Sequence, residues 1–347
     1  MNFLFYISKQ YSIPIIQPIV NYIKTYTKYN ISFFISEKVD KVFPNEWSKY
    51  PKYKSFKEIK NNEFDFVIVP GIYVDFRLSG IKVQIFHGLG IEKESHYSIK
   101  HFFDIFLTSG PFVTKKFNKL QKEHKYFLVK ETGWAKIDHI LNYPTKNIKE
   151  KYSIPNDKKI ILYAPTFSNK LESASKIIPN LPTLINENEF WLVKLHELAD
   201  KKIIKLIENY DNVKLINDFD ITPYLHIADI MISDISSVVY EFMALDKPVI
   251  TYKIKQRTDK GINCENIDEL KNAIKRSLKF PNEYRENRKK HLQEINPYLD
   301  GKISENIVKY LISVKENKLL QKKKKPLNII RKLKILYHSK FKKGYFR

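Results

Sequence analysis

Short apolar runs recur along this chain, with helical or polar segments between them. The runs lie at residues 2–7, 31–35, 64–69, 83–86, 105–108 and 126–129, and then at 159–164, 190–195, 213–216, 230–233 and 248–252. Strands of a parallel sheet read as continuous apolar runs because helices cover both faces of the sheet. The pattern therefore predicts an α/β fold with two doubly wound parallel sheets.

A polar stretch at residues 142–155 separates the two series of runs and is predicted to be a linker. We expect an N-terminal Rossmann-like domain at residues 1–145 and a second one at 150–315, the latter ending in helices at 267–278 and 284–295. Residues 316–347 form a basic tail. Two such domains in tandem predict a central cleft between the carboxyl ends of their sheets, where open α/β folds bind ligands.

The positive charge of the chain is concentrated in its C-terminal tail. Lys and Arg number 61 against 38 Asp and Glu, a net charge of +23, and residues 318–347 hold twelve of these cations and no acidic residue. Apolar side chains recur there at helical spacing. They are Ile329, Ile330, Leu333, Leu336 and Tyr337. This pattern predicts a basic amphipathic helix on an anionic bilayer, the alternative being a solvated terminal helix.

Several classes of protein are disfavoured by what the sequence lacks. A nucleic-acid-binding protein is suggested only by charge, and no base-stacking or groove-reading motif is recognisable. The dinucleotide fingerprint, the P-loop and any convincing metal-ligand spacing are also missing, so we expect no cofactor and no metal. A single cysteine, Cys264, excludes an internal disulfide. With no signal peptide and no long apolar run, we expect a cytoplasmic protein, peripherally associated with the inner membrane face.

Two histidines each follow a predicted strand. His87 follows residues 83–86 and precedes Gly88, one of only nine glycines, so the backbone there can turn sharply. Because the pKa of histidine is ordinarily about 6.5, His87 is suited to take a proton from a hydroxyl nucleophile. His196 closes the strand at 190–195 in the second half. We predict that the two face each other across the cleft, the alternative being structural histidines.

A hydroxyl-rich corner follows the strand at residues 230–233. It carries Ser233, Asp234, Ser236 and Ser237 ahead of a predicted helix. The unpaired N–H groups of a helix start attract anions, so this corner is a candidate phosphate pocket; the alternative is that Ser236 or Ser237 is an ordinary N-cap. Thr166, after the strand at 159–164, is placed to meet a phosphate or a ribose.

Together these segments resemble the CDP-glycerol glycerophosphotransferases of the teichoic-acid polymerase family. The landmarks that carry the resemblance are Phe86-His87-Gly88, residues 132–138 (TGWAKID), residues 162–167 (LYAPTF), Leu195-His196, residues 232–238 (ISDISSV) and Asp246-Lys247-Pro248. They occur in the family's order within residues 80–252.

The resemblance implies a GT-B fold and transfer of glycerol phosphate from CDP-glycerol to a hydroxyl of a lipid-linked or glycan acceptor, with release of CMP. It implies that His87 is the general base and that His196 holds pyrophosphate oxygens together with the Ser236–Ser237 corner. The residues expected to bind substrate are Gly88, Lys93, Thr166, Ser233, Asp234, Ser236, Ser237 and Glu241.

This chain also departs from the family pattern. Family members usually follow His-Gly with Thr-Pro-Leu-Lys, where this chain has Leu-Gly-Ile-Glu-Lys at residues 89–93, and Glu197 stands where a proline is common. The donor therefore stays open between CDP-glycerol, CDP-ribitol, another nucleotide-linked polyol and a nucleotide sugar. A GT-B glycosyltransferase for capsule or surface polysaccharide is the alternative enzyme.

Overall fold

The computed structural model describes residues 1–92, 94–166, 173–196 and 199–341, which form two compact units. The first unit contains Met1–Gly88, Glu94–His139 and Asn296–Arg347, and the second contains Leu89–Lys93 and Ile140–Ile295. Each unit is built on its own parallel sheet. The chain therefore enters the second unit twice, once for the five residues after Gly88 and once for residues 140–295.

Within the described residues, the first sheet contains β1 (Asn2–Ile7), β2 (Asn30–Ile35), β3 (Lys52–Tyr53), β4 (Phe66–Val69), β5 (Ile81–Gln84), β6 (Ile105–Thr108) and β7 (Leu128–Glu131). The second contains β8 (Lys159–Tyr163), β9 (Glu189–Val193), β10 (Val213–Leu215), β11 (Ile230–Ser233), β12 (Val249–Tyr252) and β13 (Ile262–Cys264).

The α-helices in the described parts of the chain vary in length from four to 14 residues. In the first half they are α1 (Ile13–Tyr26), α2 (Glu37–Asp40), α3 (Phe56–Ile59), α4 (Pro111–His124), α5 (Lys136–Leu141), α6 (Ile148–Lys151), α7 (Ala174–Ile177) and α8 (Leu181–Leu184). They continue as α9 (Lys201–Ile207), α10 (Thr222–Ile227), α11 (Val238–Met243), α12 (Ile267–Lys279), α13 (Arg285–Ile295), α14 (Ile303–Glu316) and α15 (Ile329–Phe341).

The first sheet has the strand order β3-β2-β1-β4-β5-β6-β7, and each pair of adjacent strands is parallel. The six strands predicted for this half are confirmed. Several boundaries are wrong: β4 and β7 begin two residues later than predicted, and β5 ends at Gln84 and not at residue 86. Phe86 has a φ of 58°, in the left-handed region, which cannot continue an extended strand. The sequence pattern missed β3, which has only two residues and no apolar run.

The second sheet has the order β10-β9-β8-β11-β12-β13, again wholly parallel. The five predicted strands are confirmed. The missed strand, β13, is a three-residue edge strand with Asn263 at its centre. Strands β8, β9 and β11 are buried in their middle, and Trp191 and Tyr163 are among the largest fully buried side chains of the core. These three adjacent strands present their carboxyl ends at one edge of the sheet.

Residues 296–316 lie with the first unit, whereas the sequence pattern predicted a continuous second domain to residue 315. Helix α14 packs on α1. Its first N–H groups need acceptors from outside the helix, and the Asp138 carboxylate supplies them by accepting from Ile303 N (3.2 Å) and Ser304 N (2.7 Å). Burial raises the pKa of Asp138. The position of this acidic residue, and not chain order, joins α14 to the first unit.

Candidate active site

The His87 side chain leaves the first sheet just beyond the end of β5. Ile85 N still donates to Val69 O (3.0 Å), and Phe86 then turns into its left-handed conformation. A bulky side chain rarely adopts a positive φ unless its surroundings hold it there. The Phe86 ring is buried edge-on against Phe117, with centroids 5.2 Å apart. This turn leaves His87 half-buried at the carboxyl edge of the sheet.

Trp134 holds the same turn from the other side. Its indole N–H donates to Phe86 O (3.2 Å), and its backbone N–H donates to Asn296 Oδ1 (2.8 Å). The preceding Gly133 has a φ of 89°, and a Cβ there would lie 2.8 Å from Ile303 carbons, so only glycine fits. The block at residues 132–138, noted in the sequence only as a landmark, thus forms a support for the His87 turn.

Two aromatic side chains that the sequence analysis did not select lie beside His87. The His96 ring centroid is 5.0 Å away, nearly edge-on, and the Tyr11 ring centroid is 6.2 Å away. Tyr11 follows the carboxyl end of β1, as His87 follows β5, and this shared position is the signal that identifies it. The first unit therefore places a half-buried imidazole among other rings at a strand end.

In the second unit, sheet order brings the other predicted residues to one edge. Strand β8 lies between β9 and β11, and the three carboxyl ends lead to Thr166, His196 and the Ser233–Ser237 corner. His196 is exposed and Thr166 is half-buried. The sequence pattern predicted the strand ends, and the strand order makes them neighbours. Lys93 lies outside the described residues.

Ser233 and Asp234 are buried, with 0% and 1% of their surface exposed. Ser233 Oγ donates to Ala164 O (2.6 Å). The Asp234 carboxylate accepts from Thr166 N (2.7 Å), Ser173 N (3.1 Å) and Ser173 Oγ (2.9 Å). These bonds hold Thr166 and Ser173 against the carboxyl end of β11. The two side chains shape the edge of the sheet, while the more accessible hydroxyls of the corner belong to Ser236 and Ser237.

Ser236 and Ser237 are half-buried and precede helix α11. Ser237 occupies the N-cap position, yet its side chain makes no capping hydrogen bond. The carbonyls of both serines accept from Val239 N (3.3 Å) and Tyr240 N (3.1 Å), the first bonds of the helix. The alternative interpretation of Ser237 as an ordinary side-chain cap is thus not what the structure shows. Glu241, in the first turn of α11, is buried.

Lys247 fixes the segment between α11 and β12. Its Nζ donates to three carbonyls, those of Leu225 (3.0 Å), His226 (2.5 Å) and Ala228 (2.8 Å). These carbonyls end helix α10, where acceptors have no partner within the helix. Burial lowers the pKa of Lys247 to about 8. The Asp-Lys-Pro landmark therefore fastens α10 to the strand that neighbours β11.

Polar contacts attach the segment that leads into helix α15 to the rest of the first unit. Lys325 pairs with Asp104 (2.7 Å), and Asn328 Nδ2 donates to Lys100 O (2.7 Å). Ile335 is buried, but most of the apolar side chains around it are exposed. The exposed apolar residues of this segment are Leu327, Ile329, Ile330, Leu333, Leu336 and Tyr337.

None of the helices in the described residues is long and apolar enough to cross a membrane. In the same residues, no group of three or more His, Cys, Asp or Glu side chains is arranged to hold a metal ion.

The chain is similar to enzymes of teichoic acid synthesis. Over 247 residues it is 26% identical to the teichoic acid glycerol-phosphate transferase of Staphylococcus aureus, covering 63% of this chain and 61% of the relative. Over 113 residues it is 39% identical to the teichoic acid glycerol-phosphate primase of Bacillus spizizenii, covering 31% and 29%. The chain thus spans less than two thirds of the length of these curated relatives.

Its fold is similar to that of the wall teichoic acid polymerase TagF, with a TM-score of 0.71 at 18% identity over 92% of this chain and 90% of that one. This similarity confirms the predicted GT-B fold. The family described as CDP-glycerol:poly(glycerophosphate) glycerophosphotransferase matches residues 80–313. That range includes His87, His196 and the Ser233–Ser237 corner, and the chain therefore belongs to this glycerophosphotransferase family.

Proposed function

We propose that this protein transfers glycerol phosphate from CDP-glycerol to a hydroxyl of a membrane-linked glycan or teichoic-acid-like acceptor and releases CMP. The family match over residues 80–313 carries the proposal. The arrangement of strand ends supports it, because an imidazole and a group of hydroxyls lie at the sheet edges where α/β folds bind ligands.

The acceptor side of the reaction is assigned to His87. The acceptor oxygen attacks the β-phosphorus of the donor, and its proton passes to the His87 imidazole. A new phosphorus–oxygen bond forms while the bond to the bridging oxygen breaks, and CMP leaves with that electron pair. The turn held by Phe86 and Trp134 supports this role, since a general base needs a fixed position relative to the proton that it removes.

The donor side is assigned to the second unit. The hydrogen-bond donors for the pyrophosphate oxygens are His196, Thr166, Ser236 and Ser237. The buried Ser233 and Asp234 hold the adjoining backbone in place through their own hydrogen bonds. Charge that develops on the leaving phosphate is stabilised best by donors already in place. Gly88, Lys93 and Glu241 remain proposed substrate contacts.

Nucleotide release tests the reaction. Purified protein is incubated with CDP-glycerol, CDP-ribitol and a panel of nucleotide sugars in the presence of an acceptor, and CMP, UMP and UDP are measured. We expect CMP release with CDP-glycerol. Sustained UDP release without CMP would instead indicate a glycosyltransferase and refute the proposal.

His87→Ala tests the assignment of the base. General bases typically contribute about 10²–10⁴-fold, so we expect turnover to fall at least roughly 100-fold with the melting temperature and CMP affinity unchanged. Near-normal turnover would remove His87 from the mechanism.

We further propose that residues 318–347 hold the protein on an anionic membrane surface at the cytoplasmic face. Helix α15 exposes apolar side chains beside its cations, and Ile330 keeps 74% of its surface exposed. Each buried aliphatic side chain is worth about 1.5–3 kcal/mol, and each nearby cation adds about 1 kcal/mol at an anionic surface. The acceptor, being membrane-linked, would lie at the same surface.

Vesicle binding tests the membrane proposal. We expect the double variant Ile329→Ser/Ile330→Ser to bind phosphatidylglycerol vesicles at least tenfold more weakly, with an unchanged melting temperature, because both side chains are exposed. Phe280→Ser is the control, since Phe280 is also an exposed apolar residue but lies on the second unit. Equal vesicle binding by wild type and the double variant would contradict the proposal.

A further inference from the structure

A buried ionic cluster lies against helix α11, one turn beyond Ser236 and Ser237. It consists of Glu92, Tyr240 and Lys260, all in the second unit. The Tyr240 hydroxyl donates to the Glu92 carboxylate, and Lys260 Nζ lies 3.6 Å from that carboxylate and 3.2 Å from the hydroxyl oxygen. Tyr240 is 1% exposed and Lys260 is 3% exposed. The Lys260 cation also lies over the Tyr240 ring, 4.7 Å from its centroid.

Such a cluster is a weak source of stability. Taking two charges out of water costs several kcal/mol per ion, and an apolar replacement of similar volume is often as stable. Burial lowers the pKa of Lys260, which reflects this desolvation cost. A buried, hydrogen-bonded group of charges instead specifies one geometry, because its members are all paired only when they are placed in that geometry.

The backbone that carries Lys260 is itself fixed. Arg257 donates to Glu294 (2.6 Å) and contacts the His291 ring nitrogen (3.0 Å), which ties this segment to α13. A Cβ on Gly261 would lie 1.9 Å from Val249 O, so the chain passes close against β12. Lys260 is therefore fixed by its own segment, and together with Glu92 it holds the Tyr240 hydroxyl.

We propose that Glu92 is a positioning residue that acts through Tyr240 on the Ser236–Ser237 corner, and that its role is to place this corner for the phosphates of a nucleoside-diphosphate donor. Tyr240 lies one helical turn after Ser236 and Ser237, so its hydroxyl bond fixes the rotation of α11 about its axis. This proposal rests on the proposed function of the same corner.

Binding of cytidine, CMP and CDP-glycerol to Glu92→Gln and Tyr240→Phe tests the proposal by calorimetry. We expect both variants to bind CMP and CDP-glycerol at least tenfold more weakly and to bind cytidine within twofold of wild type, because only the phosphate-binding corner moves. A general loss of folding would weaken all three ligands together.

The matched control is Glu131→Gln. Glu131 accepts from the Tyr298 hydroxyl (2.9 Å) in the first unit, so the same chemical change is made away from α11. Unchanged CMP affinity in Glu92→Gln and Tyr240→Phe would overturn the proposal, as would a parallel loss of cytidine and CMP. If wild type itself binds no cytidine nucleotide, the proposed function fails as well, so the two failures are distinguishable.

Discussion

The Trp134 indole hydrogen bond to the Phe86 carbonyl offers a test of how the His87 turn is held. Trp134→Phe removes the indole N–H and leaves a buried carbonyl without that donor. An unpaired buried polar group costs about 1–3 kcal/mol, so the loss of the bond alone should destabilise the first unit by that amount. The removed ring atoms add a cavity cost.

Trp47→Phe provides the matched control. Trp47 is also fully buried in the first unit, where it stacks on Phe33 at 4.9 Å, but among the described residues its indole nitrogen has no hydrogen-bond partner. The same atoms are removed in both variants, while Trp47→Phe relieves an unsatisfied donor worth about 1–3 kcal/mol. Trp134→Phe should therefore be less stable than Trp47→Phe by at least about 2 kcal/mol.

Urea unfolding followed by circular dichroism measures this difference, and CMP release in the transferase assay measures its consequence. We expect Trp134→Phe to lower the transfer rate because the His87 turn loses its support, and Trp47→Phe to leave it near wild type. Equal stability of the two variants within about 0.5 kcal/mol would refute the argument that this hydrogen bond holds the turn.

Two further perturbations test other contacts. Lys247→Met should change the pH dependence of stability: since burial lowers the pKa of Lys247 to about 8 in the folded chain, the unfolded chain binds more protons between pH 8 and the ordinary value of 10.5. The free energy of unfolding of wild type should therefore rise by about 2 kcal/mol between pH 7 and 9.5, and that of the variant should not. Urea unfolding at each pH measures this difference. Parallel pH profiles of the two proteins would contradict the burial of a charged Lys247. Asp234→Asn should destabilise the protein by about 1–3 kcal/mol, because one side-chain oxygen that accepts from Thr166 or Ser173 is replaced by an amide nitrogen. Thermal melting and CMP affinity measure the effect. If neither the melting temperature nor the CMP affinity changes, the role given to this carboxylate is wrong.

The strands show how much of the fold was readable from the sequence. Runs such as residues 2–7 and 230–233 are apolar except at one end because both faces of a parallel strand are covered, and their bounds were predicted correctly. The two missed strands, β3 and β13, are edge strands of two and three residues. Strands this short contain too few buried residues to form a recognisable apolar run. The early end of β5 was also hidden, because the left-handed turn at Phe86 comes from packing and not from local preference.

The candidate site divides in the same way. His87, His196, Thr166 and the serine corner were found from their position after apolar runs, which is a property of the sequence. Tyr11, His96 and Glu92 were not selected, because their partners lie far away in the chain or in another element. Glu92 meets Tyr240 at a separation of 148 residues, which no spacing rule indicates.

By itself the sequence determined the two series of buried strands, the family and the basic tail, since these follow from local pattern and from short motifs. Only the tertiary structure decided that the block at residues 132–138 supports the His87 turn, that Asp234 binds Thr166 and Ser173, and that α14 packs with the first unit. The physical reason is that a buried donor or acceptor must find its partner wherever the fold places one. That partner is set by three-dimensional packing, and the chain order does not reveal it.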